Sequence, residues 1–194
     1  MKSLKGTQTA NNLMKAFAGE SQARNRYTFY SKVARKEGYV EAANLFQEVA
    51  DQESQHAKIF FKHLASDLNG ESVTIEANFP VSLTDSTAVN LKSASDGENE
   101  EWSDLYPTFA RVAREEGFEA VAKSFEEISI AEKFHEARFM HLLKNIEEGT
   151  TFHRDSEVMW KCQNCGYVHS SADAPEVCPA CVHPQGFFQV FTLN

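Results

Sequence analysis

The chain has 194 residues, which at about 150 per domain is one domain of moderate size with at most a small appendage, excluding repeat arrays and large multidomain machines. With 42% hydrophobic residues, 15 Phe, 9 Gly and 5 Pro, it can bury a sizeable core and is neither collagen-like nor disordered. Its 28 acidic against 19 basic side chains, net −9, repel phosphate backbones and anionic membranes, so no nucleic-acid or membrane partner is expected. No signal-like stretch follows Met1-Lys2-Ser3-Leu4-Lys5-Gly6, and no run of about 18 apolar residues occurs, so a soluble, cytoplasmic protein is expected.

From Thr7 to Leu68 the pattern is helical, broken only at Gly38-Tyr39, which predicts two long helices meeting as a hairpin. Residues 69–95, with Gly70, Asn78-Phe79-Pro80 and many Ser and Thr, read as a long crossover with room for a short helix. Helical patterning resumes near Ser95, pauses at Gly117-Phe118 and stops at Gly149-Thr150-Thr151, giving a second hairpin. After about Asp155 the chain becomes rich in turns and cysteine. Expected domains are therefore 1–150 and 155–194, with the boundary between 148 and 156.

The hairpins repeat one another. Val33-Ala34-Arg35-Lys36-Glu37-Gly38-Tyr39 matches Val112-Ala113-Arg114-Glu115-Glu116-Gly117-Phe118 79 residues later, and Glu53 with His56 falls on Glu132 with His135. Gly19-Glu20 matches Gly97-Glu98 at only 78, so the third helix holds one extra residue between Glu98 and Tyr106, beside Pro107. A single extra residue in a helix is what a π-bulge accommodates. Two hairpins joined by a long crossover predict an all-α four-helix bundle with ferritin-like connectivity.

On the second helix Phe46, Val49, Glu53, His56 and Phe60 follow at steps of three and four, as do Phe125, Ile128, Glu132, His135 and Phe139 on the fourth. Each Glu-x-x-His pair thus interrupts an apolar seam, where an ionised carboxylate is costly unless paired or metal-bound. Glu20 continues the line of Leu13 and Phe17, and Glu98 with Glu101 lies on the third helix. Two Glu-x-x-His pairs plus a Glu from each remaining helix is the ligand set of di-iron or di-manganese carboxylate sites. One such pair alone is weak evidence; two at matching places of a repeat are not. Glu101 has no carboxylate counterpart in the first repeat, where Gln22 or Ala23 stands. Tyr27 and Tyr106 occupy matching places and suit either hydrogen bonding to ligand carboxylates or plain core packing. His63 and His141 extend the helices beyond the site, and His153, His169 and His183 have no partner at a convincing spacing.

Cys162-Gln163-Asn164-Cys165-Gly166 and Cys178-Pro179-Ala180-Cys181 form two knuckles whose four thiolates suit a tetrahedral zinc or a single iron. Spacing does not separate these metals, although the aromatic setting of Trp160, Tyr167 and Phe187 favours iron. A disulfide pair is the less expected use of these residues in a reducing compartment.

Taken together, Ala18-Gly19-Glu20-Ser21-Gln22-Ala23-Arg24, Glu53 with His56, Gly97-Glu98 with Glu101, Tyr106-Pro107, Glu132 with His135 and the ribbon from Trp160 to Pro184 resemble the rubrerythrin family over nearly the full length. The resemblance implies a ferritin-like di-iron bundle fused to a rubredoxin-like iron ribbon, acting as a peroxidase that reduces hydrogen peroxide to water. It further implies that Glu53 and Glu132 bridge the irons, that Glu20 and Glu101 serve one and Glu98 and His135 the other, and that His56 replaces Glu101 on reduction. Cys162, Cys165, Cys178 and Cys181 would hold a third iron that returns electrons from rubredoxin or an NADH-dependent reductase, within a head-to-tail homodimer. The rivals are a ferritin-like protein that oxidises and stores iron, and a structural protein in which a zinc ribbon serves as an interaction module on a di-metal relic.

Overall fold

Two hairpins closed by the same backbone device form the body of the molecule, whose computed structural model describes residues 2–193. α1, Gln8–Glu37, starts where the Thr7 side chain accepts the Ala10 N–H at 3.1 Å, and ends at Gly38, whose φ of +88° only glycine adopts without cost. The Tyr39 N–H then donates to the Ala34 carbonyl at 2.9 Å, and α2 runs Val40–Leu68. In the second hairpin the Phe118 N–H donates to Ala113 at 2.7 Å, with Gly117 at φ +81°, between α4 (Tyr106–Glu115) and α5 (Glu119–Glu147). The duplicated sequence thus has duplicated caps.

The expected restart of helix near Ser95 is corrected: α3 spans Thr87–Glu100, and no helix lies within 71–86. Ser86 caps α3 by accepting the Val89 N–H, and the Thr87 N–H donates to Glu37 Oε2 at 2.6 Å, pinning this start to the end of α1. Leu91 and Ala94 are buried and supply the apolar face of the early turns. Between α3 and α4, Glu101–Leu105 is a π-helical turn in which the Tyr106 N–H reaches back five residues to Glu101, so the extra residue is absorbed as expected.

Packing divides the interior. One apolar cluster gathers Tyr27, Tyr30, Phe46, Leu91 and Phe139, and another gathers Leu13, Phe60, Tyr106, Phe125 and Ile128. The buried carboxylates Glu20, Glu53, Glu98 and Glu132 belong to neither cluster.

The ribbon is a three-stranded antiparallel sheet in the order β2-β1-β3, with β1 His153–Cys162 central, β2 Val168–Asp173 and β3 Phe188–Val190. Trp160, Cys162, Ala174, Cys178 and Phe188 form its buried centre, with Phe152 packed against them. It sits on the α1–α2 turn. Asn44 donates to Gln163 Oε1 at 2.6 Å, the Tyr39 and Phe152 rings stack 6.3 Å apart, and a Cβ on Gly186 would come within 2.1 Å of the Gly38 carbonyl oxygen, so glycine is required there. Among the described residues no helix is long and apolar enough to cross a membrane.

Candidate metal centres

The Glu-x-x-His pairs of α2 and α5 meet because the two helices present their interrupted seams to each other. His56 Nδ1 lies 2.8 Å from Glu132 Oε1, 3.1 Å from Glu53 Oε2 and 3.9 Å from Glu20 Oε2. His135 Nδ1 lies 2.7 Å from Glu132 Oε2, 3.1 Å from Glu53 Oε1 and 3.5 Å from Glu98 Oε2. Glu53 and Glu132 therefore turn one oxygen to each imidazole, the disposition that lets a carboxylate span two cations. Two four-residue groups result, Glu20, Glu53, His56, Glu132 and Glu53, Glu98, Glu132, His135, each with its ligand atoms within 4.8 Å of one another.

Six of the nine buried side-chain polar atoms without a hydrogen-bond partner among the described residues belong to this cluster: Glu20 Oε2, Glu53 Oε1, Glu98 Oε2, both Glu132 oxygens and His135 Nδ1. Buried anionic oxygens left unpartnered are costly, and a pair of hard cations satisfies all of them at once. The residues present fit a di-iron group.

Protonation tells the same story from the metal-free side. Burial and then the charges of Glu53, Glu132 and Glu101 hold Glu20 well above the usual carboxylate range. Burial, reinforced by Glu53, raises Glu98 to about 8, and burial with Glu98, Glu132 and Glu53 raises Glu101 strongly. At His56 and His135 burial lowers the pKa, but the surrounding carboxylates outweigh it and carry them to about 10 and about 12. Burial also opposes ionisation of Glu53, yet the facing imidazoles of His135 and His56, together with Glu20, bring it to about 2. Without metal the cluster therefore stores protons that cations must displace.

The tyrosines pair across the repeat. Tyr27 donates to Glu98 Oε1 at 2.5 Å and Tyr106 donates to Glu20 Oε1, so each phenol of one hairpin holds a carboxylate of the other. Burial and then the facing carboxylates keep both phenols well above their ordinary pKa. Glu101 is the sequence-predicted residue that joins neither group. Its carboxylate rests over α1, where a Cβ on Gly19 would stand 3.8 Å from Glu101 Oε1. Outside the cluster, His63 Nε2 lies 2.9 Å from Ser124 Oγ, His141 contacts Asn145, and His153 Nδ1 contacts Asp173 at 2.7 Å.

Two residues absent from the sequence expectations stand beside the cluster. Gln52 lies 2.9 Å from His135 Nε2. Arg26 is 9% exposed, lies over the Tyr27 ring and has an unpartnered Nη1 among the described residues, and its Nη2 is 3.8 Å from where a Gly97 Cβ would be. Comparing the repeat halves position by position was the available signal: Gln52 matches Ala131, and the space over Gly19 taken by Glu101 is taken over Gly97 by Arg26.

In the ribbon, Cys162 and Cys181 Sγ lie 3.7 Å apart, as do Cys165 and Cys178. A tetrahedron with metal–sulfur bonds of about 2.3 Å has edges of about 3.8 Å, whereas a disulfide needs about 2 Å. The Gly166 N–H donates to the Cys162 carbonyl and the Val182 N–H to the Cys178 carbonyl, with φ of +79° and +62°. The His183 N–H lowers Cys181 to about 6, whereas the Tyr167 N–H is outweighed at Cys165 by the other sulfurs, which push it up to about 12.

A carboxylate-rich dimetal four-helix bundle carrying a tetrathiolate ribbon is the class that fold and sites define. The Rubrerythrin family profile matches residues 11–143, and that of the rubrerythrin rubredoxin-like domain matches 160–189. A rubrerythrin of Clostridium perfringens is 58% identical over 191 residues, 98% of each chain, and one of Nitratidesulfovibrio vulgaris is 48% identical over 194 residues, 100% of each chain. The solved structure of fully reduced, all-ferrous nigerythrin covers 98% of this chain and 92% of its own at TM-score 0.64 and 31% identity. This chain belongs to the rubrerythrin family. Its cofactors are accordingly a di-iron centre in the bundle and one iron on the four cysteines.

Proposed function

We propose that the protein is a peroxidase that reduces hydrogen peroxide to two waters, taking up two electrons and two protons per turnover. The observation that carries this reading is the convergence of two repeated Glu-x-x-His pairs on one buried cluster in a chain that also holds four clustered cysteines. With iron bound, the cluster supplies a reductant of two electrons and the ribbon a relay of single electrons. Glu53 and Glu132 would bridge, Glu20 and Glu101 would serve one metal and Glu98 and His135 the other, with His56 exchanging for Glu101. Tyr27 and Tyr106 orient Glu98 and Glu20 and keep their outer oxygens from water. Cys162, Cys165, Cys178 and Cys181 would hold the ribbon iron, and residues 1–150 and 155–194 would be the two working units. Electrons would arrive from rubredoxin or an NADH-dependent reductase, and a cytoplasmic head-to-tail homodimer is the proposed assembly.

Cys162→Ser tests the division of labour, because it removes one ribbon ligand and touches nothing in the bundle. Pre-reduced variant should still be oxidised once by hydrogen peroxide, faster than by oxygen, while reductase-driven turnover collapses. Full reductase-driven turnover by the variant would refute electron entry through the ribbon. Intact protein that oxidises and retains many irons per chain without preferring peroxide would instead be an iron-storage protein.

A further inference from the structure

The two imidazoles of the cluster look alike from inside and differ from outside. His135 Nε2 is 2.9 Å from Gln52 Oε1, and the Gln52 amide donates to Glu48 Oε1 at 3.3 Å. Glu48 in turn accepts two bonds of 2.8 Å from Arg138, which stands three residues beyond His135 on α5. These links have a direction. Arg138 holds the Glu48 carboxyl below its usual range, so Glu48 only accepts, and Gln52 must turn its amide nitrogen towards it and its oxygen towards His135. The oxygen then fixes a proton on Nε2, so Nδ1, which faces Glu53, Glu98 and Glu132, is the nitrogen whose proton a metal would displace.

The other half lacks this chain. At the offset of 79, Gln52 corresponds to Ala131, Glu48 to Glu127 and Arg138 to Ile59, so the repeat of the relay is missing both its amide and its guanidinium. Among the described residues nothing hydrogen-bonds His56 Nε2, and the His56 side chain remains 13% exposed. From the relay on one side and its loss on the other, we infer that Gln52, held by Glu48 and Arg138, is a positioning residue that makes His135 a fixed metal ligand, while Ala131 and Ile59 leave His56 free to exchange.

This inference rests on the di-iron reading, and its test keeps the two apart. Full-length protein stripped of metal is titrated anaerobically with ferrous ion, and the reduction potential of the loaded bundle is measured by spectroelectrochemistry. Wild type should bind a pair of ferrous ions in the bundle. Gln52→Leu should weaken one of the two by about 10- to 100-fold, the usual loss when the partner of a ligating histidine is removed. Gln52→Glu, whose carboxylate can still accept from Nε2 but gives Glu48 no donor, should recover part of the affinity lost in Gln52→Leu and shift the potential downwards, because it makes the imidazole a stronger donor. Arg138→Met, an exposed change that leaves Gln52 in place, should give a smaller loss in the same direction, and covers the case in which Gln52→Leu fails to fold. Wild-type affinity and potential in both Gln52→Leu and Arg138→Met would overturn the inference with the di-iron reading intact. A wild-type bundle that binds no ferrous pair would strike the reading itself.

Discussion

The half of the cluster built around His56 and the half built around His135 come from the same repeated motif, and only their surroundings differ. Each histidine meets Glu132 through Nδ1, at 2.8 and 2.7 Å, and each also faces a carboxylate, Glu20 or Glu98, that is held by a tyrosine of the opposite hairpin. His135 has Gln52 beside it where the repeat has Ala131, and Glu101 rests over Gly19 where the buried guanidinium of Arg26 rests over Gly97. Duplication sets where ligands converge, and a few unmatched residues decide which are anchored. The ribbon repeats the lesson, with two knuckles of one hydrogen-bond pattern, one turning at Gly166 and the other at Val182.

The largest effect is expected where the halves are joined. Glu53→Ala or Glu132→Ala removes a carboxylate that faces both histidines, so iron should fall from about three per chain towards about one, the ribbon iron surviving on its separate ligands. Metal analysis of the purified variants reads this directly, and retention of both bundle irons would refute the shared role.

Next in size is the competition between metal and protons. Glu98 at about 8, His56 at about 10 and His135 at about 12 carry protons at neutral pH, whereas Glu53 at about 2 does not. Raised groups are protonated below their pKa, so ferrous binding should release protons and weaken as pH falls from about 8 to about 6. An indicator dye in weak buffer measures the release, and an affinity independent of pH would contradict the assignment.

Tyr27→Phe and Tyr106→Phe probe what the halves share. Each leaves a buried carboxylate oxygen without its phenol, so each should destabilise the bundle by roughly 1–3 kcal/mol in thermal unfolding, and by similar amounts. A loss confined to one variant would show that the crossed pairs are not equivalent.

The smallest effects should separate the knuckles by sign. Val182 holds a β-branched side chain at φ +62°, so Val182→Gly should stabilise the ribbon by up to about 1 kcal/mol, whereas Gly166→Ala at φ +79° should destabilise it by about the same amount. Chemical denaturation followed by the visible absorbance of the ferric tetrathiolate distinguishes them.

Much of this was legible in the chain because metal ligation and helical packing share one spacing. Glu53, His56, Glu132 and His135 stand out as polar interruptions of apolar seams, and the extra residue before Pro107 predicts the π-turn at Glu101–Leu105. What escaped is held by contacts between distant elements. The start of α3 depends on Glu37 reaching Thr87, and the crossover before it is tied to α1 and the N-terminal segment, where Tyr30 donates to the Ser82 carbonyl and Lys5 to Glu71. Gln52 sits beside a ligand on a half-buried face, where its type alone carries no signal until it is set against Ala131. Arg26 reads as an ordinary helical arginine, and only the packing of α1 on α3 buries it.

The claim that one half of the cluster exchanges its ligands while the other stays fixed is tested most directly by crystal structures of the oxidised and the reduced protein. The iron beside Glu20 should leave Glu101 for His56 on reduction, while the iron beside Glu98 and His135 should keep its ligands and its position. An iron that moves on the His135 side, or two irons that both stay in place, would contradict it.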